Sequence, residues 1–298
     1  MPAIDSSLLD ILRCPKTGKR LMVDGELIYN ENRTCQYEFN NGVPDLFSPP
    51  ERLQIDLPWI EPWDDIIQIN FEPPEPMNAG DIPPDLDPHK AAVIGADGNG
   101  RRVLEVGCGE RKSEPFFLAR GFEYIATDVD FRGRGPDIRC DAHNLPFEDE
   151  SFDVYYSRAV YEHLMCPLLA LSEAARVLKP GGTLICSGSY IYGFHDVASF
   201  FHCSHAAWIT MLRSVGFENI RIWPGWSYTE SVPSWCFRGL FGKPWYWATR
   251  ILLSVAEYTY TRLFNFARSL IAKPPHDLNR RKGYMAGGLN VAASKPVH

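Results

Sequence analysis

The stretch Arg102 to Gly109, RVLEVGCG, and the run FEYIATDVD at 122–130 decide the fold of this 298-residue chain. Val103, Leu104 and Val106 form a short apolar run that ends in Gly107-Cys108-Gly109. A polar and then apolar stretch from Ser113 to Arg120 closes at Gly121, and a second apolar run ends on Asp128. The order is strand, glycine turn, helix, strand, acid. This is the physics of a nucleotide site on a parallel sheet. Glycine lets the backbone turn sharply and approach a ligand where a Cβ would collide. The helix N-terminus offers unpaired N–H groups. A carboxylate at the tip of the next strand can accept both hydroxyls of a ribose.

A lone Gly-x-Gly is weak evidence, because many ordinary turns contain one. The sequel strengthens it. Asp141-Ala142 follows a third short run, DIRC, and then come NLPFEDESFDVYYSRAVYEHL, a helical LLALSEAARVLKPGG and a strand, TLICSGSY. As an ordered set this resembles the class I S-adenosylmethionine-dependent methyltransferases of the type 11 group, over about residues 101–223 with a final strand at 285–293. The resemblance implies an α/β fold: a doubly wound, seven-stranded Rossmann-like methyltransferase sheet. It implies S-adenosyl-L-methionine as cofactor. Glu105, Gly107 and Gly109 would serve its methionine end, Asp128 its ribose hydroxyls, and Asp141 with Ala142 its adenine. Asp153 opens the fourth strand in a structural role. One departure stands out. A third glycine is common two positions after Gly109, and here Arg111 would collide with the ligand, turn outward or touch its carboxylate.

The fourth strand ends at Ser157-Arg158, the tip that faces the transferring methyl in doubly wound folds. The Asn/Asp-Pro-Pro-aromatic signature of methyltransferases acting on base amino groups or glutamine is absent there. Glu162-His163 stands where related O-methyltransferases often have Glu-His. An imidazole is a general base suited to neutral pH, so His163 can take a substrate proton, or it caps the following helix or bonds a backbone carbonyl. Pro167 starts and Gly181-Gly182 stops a helix at 167–179 with a buried stripe of Leu168, Leu171, Ala175 and Leu178. His195, His202 and His205 lie on the substrate side, with Arg158. No carboxylate-rich spacing accompanies the three histidines, so no metal is expected.

Around this core the chain divides further. Residues 1–48 resemble a Trm112-like zinc ribbon in their LLDILRCP opening and GVPDL close. That family's Cys-x-x-Cys is broken by Thr17 after Cys14, so a ribbon without zinc is expected. Residues 49–100 begin as an acidic, proline-rich connection, with ten prolines and ten Asp/Glu in 49–90. Its Trp59, Ile60, Trp63, Ile66, Ile67, Ile69 and Phe71 are too apolar for a free tether, so it is expected to pack near the active-site mouth. The methyltransferase core is 101–235, with its final strand in 283–298, and 236–282 is an aromatic, basic helical insertion.

The insertion's polar residues Arg250, Ser254, Glu257, Thr261, Asn265 and Arg268 line one helical face and its other faces are apolar. It meets the domain, a second subunit as a homodimer, or a membrane surface, helped by Trp245, Trp247 and Arg280-Arg281-Lys282. From 236 onward ten Lys/Arg face two Asp/Glu, a net of +8 in a chain of net −7. That acidic whole argues against a nucleic-acid partner. Eight cysteines without a disulfide framework and no signal peptide lead to an expectation of reduced cytoplasmic thiols. The expected activity is O-methylation of a small molecule, sugar or lipid-linked acceptor. The rivals are a methyltransferase for RNA or a translation protein, and a non-catalytic cofactor-binding module.

Overall fold

A computed structural model describes residues 4–57, 73–78, 82–83, 86–193, 195, 199–237, 242–271, 282 and 285–297. Eleven strands form one sheet in the order β1-β2-β3-β4-β7-β6-β5-β8-β9-β11-β10. The strands are β1 Leu21–Asp24, β2 Leu27–Asn30, β3 Gln36–Asn40, β4 Val43–Asp45, β5 Arg102–Val106, β6 Glu123–Asp128, β7 Ile138–Arg139, β8 Phe152–Arg158, β9 Leu178–Ser189, β10 Glu218–Trp226 and β11 Gly288–Ser294. The helices are α1 Ser6–Ile11, α2 Pro88–Ile94, α3 Glu114–Leu118, α4 Pro167–Val177, α5 His205–Ser214, α6 Tyr228–Phe237 and α7 Gly242–Leu270.

The seven strands β7-β6-β5-β8-β9-β11-β10 are the doubly wound sheet expected from the sequence. β5 pairs in parallel with both β6 and β8. The chain runs outward from β5 through β6 to β7, then returns to the other side of β5 as β8. That reversal is the topological switch point, and it opens a crevice beyond the carboxyl ends of the strands. β11 enters antiparallel between β9 and β10.

Alternation of side chains divides the core between the two faces of the sheet. Leu104, Val106 and Tyr155 point to a face covered by Leu171 and Ala174 of α4 and Trp208 of α5. Val103, Val154 and Tyr156 point to the opposite face, with Phe116 and Phe117 of α3 and Ala91 and Ile94 of α2. Central strands buried on both sides read as continuous apolar runs, which is why β5 and β8 do. The expected stripe of the fourth helix is shifted. Pro167, Ala170, Leu171, Ala174 and Val177 are its buried residues, while Leu168 and Ala175 are half-buried and Leu178 already belongs to β9.

The N-terminal ribbon is an antiparallel meander, β1 to β4. Its last turn is Asn41-Gly42, both at positive φ, between the paired Asn40 and Val43. That is the left-handed pair a two-residue hairpin needs. β4 then pairs in parallel with β7 through Asp45 and Arg139, and Arg139 grips Asp45 with two bonds of 2.9 Å. Leu12 bridges Phe147, and Asn144 donates to the carbonyls of Pro15 and Ser48. The boundary at residue 48 therefore separates segments that share one sheet and one core. Cys14 is buried, its sulfur 3.1 Å from the Tyr37 hydroxyl. Cys14, Cys35, Cys108, Cys140, Cys166, Cys186 and Cys203 are free thiols.

α7 turns the insertion's pattern outward. Of its polar stripe, Arg250, Glu257, Thr261, Asn265 and Arg268 are half-covered and Ser254 is exposed, whereas Ile251, Leu252, Val255, Leu263 and Phe266 are exposed. Among the described residues no helix is long and apolar enough to cross a membrane. Residues 59–71 and Arg280-Arg281 lie outside the described residues.

Candidate active site

A cleft of about 1360 Å³ lies at the carboxyl ends of β5, β6, β7 and β8. Each strand delivers one element to it. Beyond β5, Gly107 has φ +75° and a Cβ there would stand 2.2 Å from the Val160 side chain. Gly109, at φ +52°, faces open space. Only glycine meets both demands at 107 without cost. The N–H of Gly109 donates to Asp128 Oδ2 at 2.8 Å, and that of Asp130 donates to Oδ1 at 3.0 Å. These bonds hold the Asp128 carboxylate at the tip of β6 with lone pairs left for a ligand.

Beyond β7, Asp141 Oδ1 accepts both the backbone N–H of His143 at 2.8 Å and its Nδ1 at 2.6 Å. His143 Nε2 accepts the N–H of Cys166 at 3.1 Å, which assigns the Nδ1–H tautomer. Burial opposes the charge on Asp141, but the His143 bonds prevail and hold its carboxyl below the usual value. His143 is a cleft residue that sequence reasoning missed; the Asp-x-His spacing was its only local signal.

The floor of the cleft carries buried charge of both signs. Glu105 is 4% exposed and accepts from Ser113 Oγ at 2.5 Å and from the Tyr124 hydroxyl. Burial pushes its carboxyl up to about 7, against the lowering effect of those two bonds and of Arg158 and Arg111. Lys90 of α2 is 3% exposed, and burial pushes its ammonium down to about 8. Its Nζ stands 5.7 Å over the Tyr156 ring. Nothing in the local sequence marks Lys90: it follows a proline-rich connection, and only the packing of α2 against β9 and β11 brings it to the cleft. Pro49, Pro50, Glu51 and Leu53 from the start of that connection line the mouth.

Arg111 takes none of the cleft. At φ +59° it swings away and binds Asp137 with two bonds, 2.7 and 3.0 Å, and Glu114 at 2.9 Å. Its guanidinium also covers the Tyr124 ring at 5.2 Å. The arginine that stands in the glycine's place thus braces β6 to the segment before β7. Ser157, expected beside the cofactor, is fully buried and donates to the Val106 carbonyl at 3.0 Å, and it does not line the cleft.

Glu105, Gly107, Gly109, Asp128, Asp141, Ala142, Arg158 and His163 all line the cleft. His202 and His205 do not. His202 sits beside His195 with ring centres 6.1 Å apart, and His205 opens α5, 6.5 Å from the Tyr190 ring. Burial first, and then the neighbouring His195, hold the His202 pKa below its ordinary value.

The donor set fits S-adenosylmethionine. A buried carboxylate and a buried ammonium on one cleft suit the ammonium and carboxylate of an amino-acid end. The glycine turn admits close backbone approach, Asp128 suits ribose hydroxyls, and Asp141 suits an exocyclic amine.

Comparison with known proteins agrees. Residues 104–186 match the family described as Methyltransferase domain. The chain is 36% identical, over 30% of its length and 38% of that protein, to an uncharacterized methyltransferase of Mycobacterium sp. (strain JLS). It is 31% identical, over 53% of its length and 65% of that protein, to a "Probable phthiotriol/phenolphthiotriol dimycocerosates methyltransferase 2" of Mycobacterium ulcerans (strain Agy99). It is 38% identical, over 29% of its length and 21% of that protein, to a "Probable tRNA methyltransferase 9B" of Bos taurus. The chain thus spans under two fifths of the first relative's length. Its residues 104–186, with the strand order and the glycine–acid constellation around them, are a methyltransferase domain of the class I, S-adenosylmethionine-dependent family.

Proposed function

We propose that this chain transfers a methyl group from S-adenosylmethionine to a hydroxyl of an amphiphilic, lipid-linked or sugar acceptor. The observation that carries the reading is the convergence of Gly107, Gly109, Asp128, Asp141 and the buried Glu105–Lys90 pair of charges on one cleft at the switch point. When bound, the cofactor supplies an electrophilic methyl on a sulfonium centre. Glu105 and Lys90 hold the amino-acid end, Asp128 accepts from the ribose hydroxyls, and Asp141, kept ionised by His143, accepts from the adenine amine. Much of the acceleration then comes from positioning. A hydroxyl acceptor must also lose a proton. His163 lines the cleft together with Arg158, and its imidazole is the base that this reading assigns to that proton.

The acceptor class rests on the absent amide-type signature at Ser157-Arg158, on the likeness to a relative named for a triol, and on α7. That helix carries an exposed apolar face with Trp245 and Trp247 at its start, in a segment of net +8. An interfacial helix of this kind suits an anionic lipid surface. It reaches the cleft through a short chain: Arg250 pairs with Glu230 at 2.7 Å, Glu230 accepts the N–H of Ser227, and Ser227 follows the cleft residue Trp226.

The test is calorimetric titration of the protein with S-adenosylmethionine and S-adenosylhomocysteine. Both should bind, and Asp128→Ala should weaken each about ten- to hundred-fold, from the loss of charge-assisted bonds of about 1.5–3 kcal/mol. No heat with the parent protein, or unchanged affinity in the variant, sinks the assignment. A nucleic-acid acceptor, the reading favoured by the tRNA methyltransferase relative, requires RNA binding that weakens steeply with salt.

A further inference from the structure

Among the described residues, Glu162, His163 and His195 form a group whose donor atoms, one from each, all lie within 4.8 Å of one another. Glu162 and His163 belong to the single 3-10 turn after β8, Tyr161–His163. His195 comes from the loop beyond β9. The Glu162 carbonyl draws that loop over, accepting the N–H groups of Phe200 at 2.7 Å and Phe201 at 3.2 Å.

Two observations make this more than a chance cluster. The Glu162 side chain is only 1% exposed. Its Oε1 accepts the N–H of Ser189 at 3.3 Å and the Ser189 hydroxyl at 2.9 Å, but its Oε2 has no hydrogen-bond partner. A buried carboxylate satisfied at one oxygen calls for a compensating cation. Independently, His195 Nδ1 stands 3.0 Å from the Gly193 carbonyl, which can only accept. Nδ1 is therefore the protonated nitrogen, and Nε2 turns its lone pair toward Glu162 Oε1 at 3.9 Å. That gap is too long for a hydrogen bond. In the neutral ring, two acceptors thus face each other with the His163 imidazole beside them, its ring centre 5.2 Å from that of His195. A histidine whose second nitrogen donates to a backbone carbonyl is also the arrangement that orients metal-bound imidazoles.

We propose that Glu162, His163 and His195 bind one divalent first-row transition metal ion, of the zinc, cobalt, manganese and iron class. Two imidazoles and one carboxylate suit such ions, and three protein ligands leave coordination positions open. His163 also lines the cleft, so the group adjoins it. The sequence expectation of no metal looked for a carboxylate near the three histidines; the carboxylate is supplied instead from Glu162, on a different strand's end. The metal's use toward an acceptor oxygen rests on the proposed methyltransferase reading, whereas metal binding does not. In that use His163 is a ligand in place of the base role given it above: the ion would polarise the acceptor hydroxyl, whose proton leaves to solvent water.

The full chain, stripped with a chelator and dialysed, is titrated with Co2+ and followed by visible absorption, with Zn2+ uptake measured in parallel. One ion per chain with d–d bands is expected. His195→Ala and Glu162→Gln should each weaken Co2+ binding tenfold or more. Binding of S-adenosylhomocysteine to the same stripped samples should be unchanged. That control separates the two readings, because its failure counts against the methyltransferase assignment and not against the metal. No stoichiometric uptake by the parent protein overturns the proposal, as does equal uptake by parent and His195→Ala. His195 lies on a loop outside both cores, so that variant carries the test if Glu162→Gln does not fold.

Discussion

Glu105 is the residue at which this fold gives up stability for its cleft. Its folded pKa of about 7 lies above the ordinary 4.5, so the proton is bound more tightly in the folded state. The sign follows. Below pH 4.5 the group costs nothing; between 4.5 and 7 the penalty grows as the buried carboxyl is forced to ionise; above 7 it is complete. A shift of that size is worth about 3 kcal/mol in order of magnitude. Glu105→Gln keeps an acceptor for Ser113 and Tyr124 and removes the charge. The ligand-free variant should therefore melt higher than the parent at pH 8, with the gain shrinking toward pH 5, while its affinity for S-adenosylmethionine falls. A gain that is flat with pH would mean that Glu105 is not ionised at the cleft. The acid itself was legible in VLEVGCG, because a strand-to-glycine-turn pattern is local. Its partner Lys90 was not, since a lysine after ten prolines looks solvated until α2 is packed on the sheet.

At the level of the elements, the turn after β5 and the 3-10 turn after β8 are fitted to each other. Gly107→Ala would drive a Cβ to 2.2 Å from Val160 and also impose a left-handed backbone on alanine. The expected loss is about 1–3 kcal/mol, read as a lower urea midpoint, together with weaker cofactor binding. Adding Val160→Ala should recover the steric part and leave the backbone part. Complete recovery in the double variant would show that φ carries no cost there, and no recovery would show that the two turns do not meet. The glycine could be picked from sequence because a sharp turn at a strand end demands it. The partner could not, since 53 positions of chain separate the two and only parallel pairing of β5 with β8 brings them together. Arg111 teaches the same lesson in reverse. Read locally, it threatened the ligand; in the fold, Asp137 and Glu114 draw it off.

For the whole molecule, the distribution of charge and apolar surface sets the prediction. α7 spans 29 residues, about 43 Å at 1.5 Å per residue. It exposes Leu252 at 67%, Leu263 at 64% and Phe266 at 63%. Single exposed apolar residues are ordinary, but a continuous face of them marks a contact surface. The protein should sediment with vesicles containing anionic lipid and less so with neutral ones. Binding should weaken as salt rises, because the surrounding Lys/Arg act through a screened field. Leu252→Glu with Phe266→Glu should abolish it and leave S-adenosylhomocysteine binding intact. A parent protein that stays in solution at low salt removes the lipid reading. If the parent is then a dimer that the double variant splits, the face belongs to a second copy.

The sequence by itself determined the parallel sheet, its glycine turn and its acids at the strand tips, because these depend on contiguous residues and on periodicity. It also determined that α7 has one polar and one apolar side. Tertiary structure alone decided which way that helix faces, since periodicity defines a stripe but not its orientation. It alone joined the N-terminal ribbon to β7, because backbone pairing at a sheet edge needs no side-chain signature. It alone set Lys90 opposite Glu105 in the cleft, and brought Glu162 to His195 across 33 positions, because a site assembled from several strand ends has no spacing in the chain to betray it.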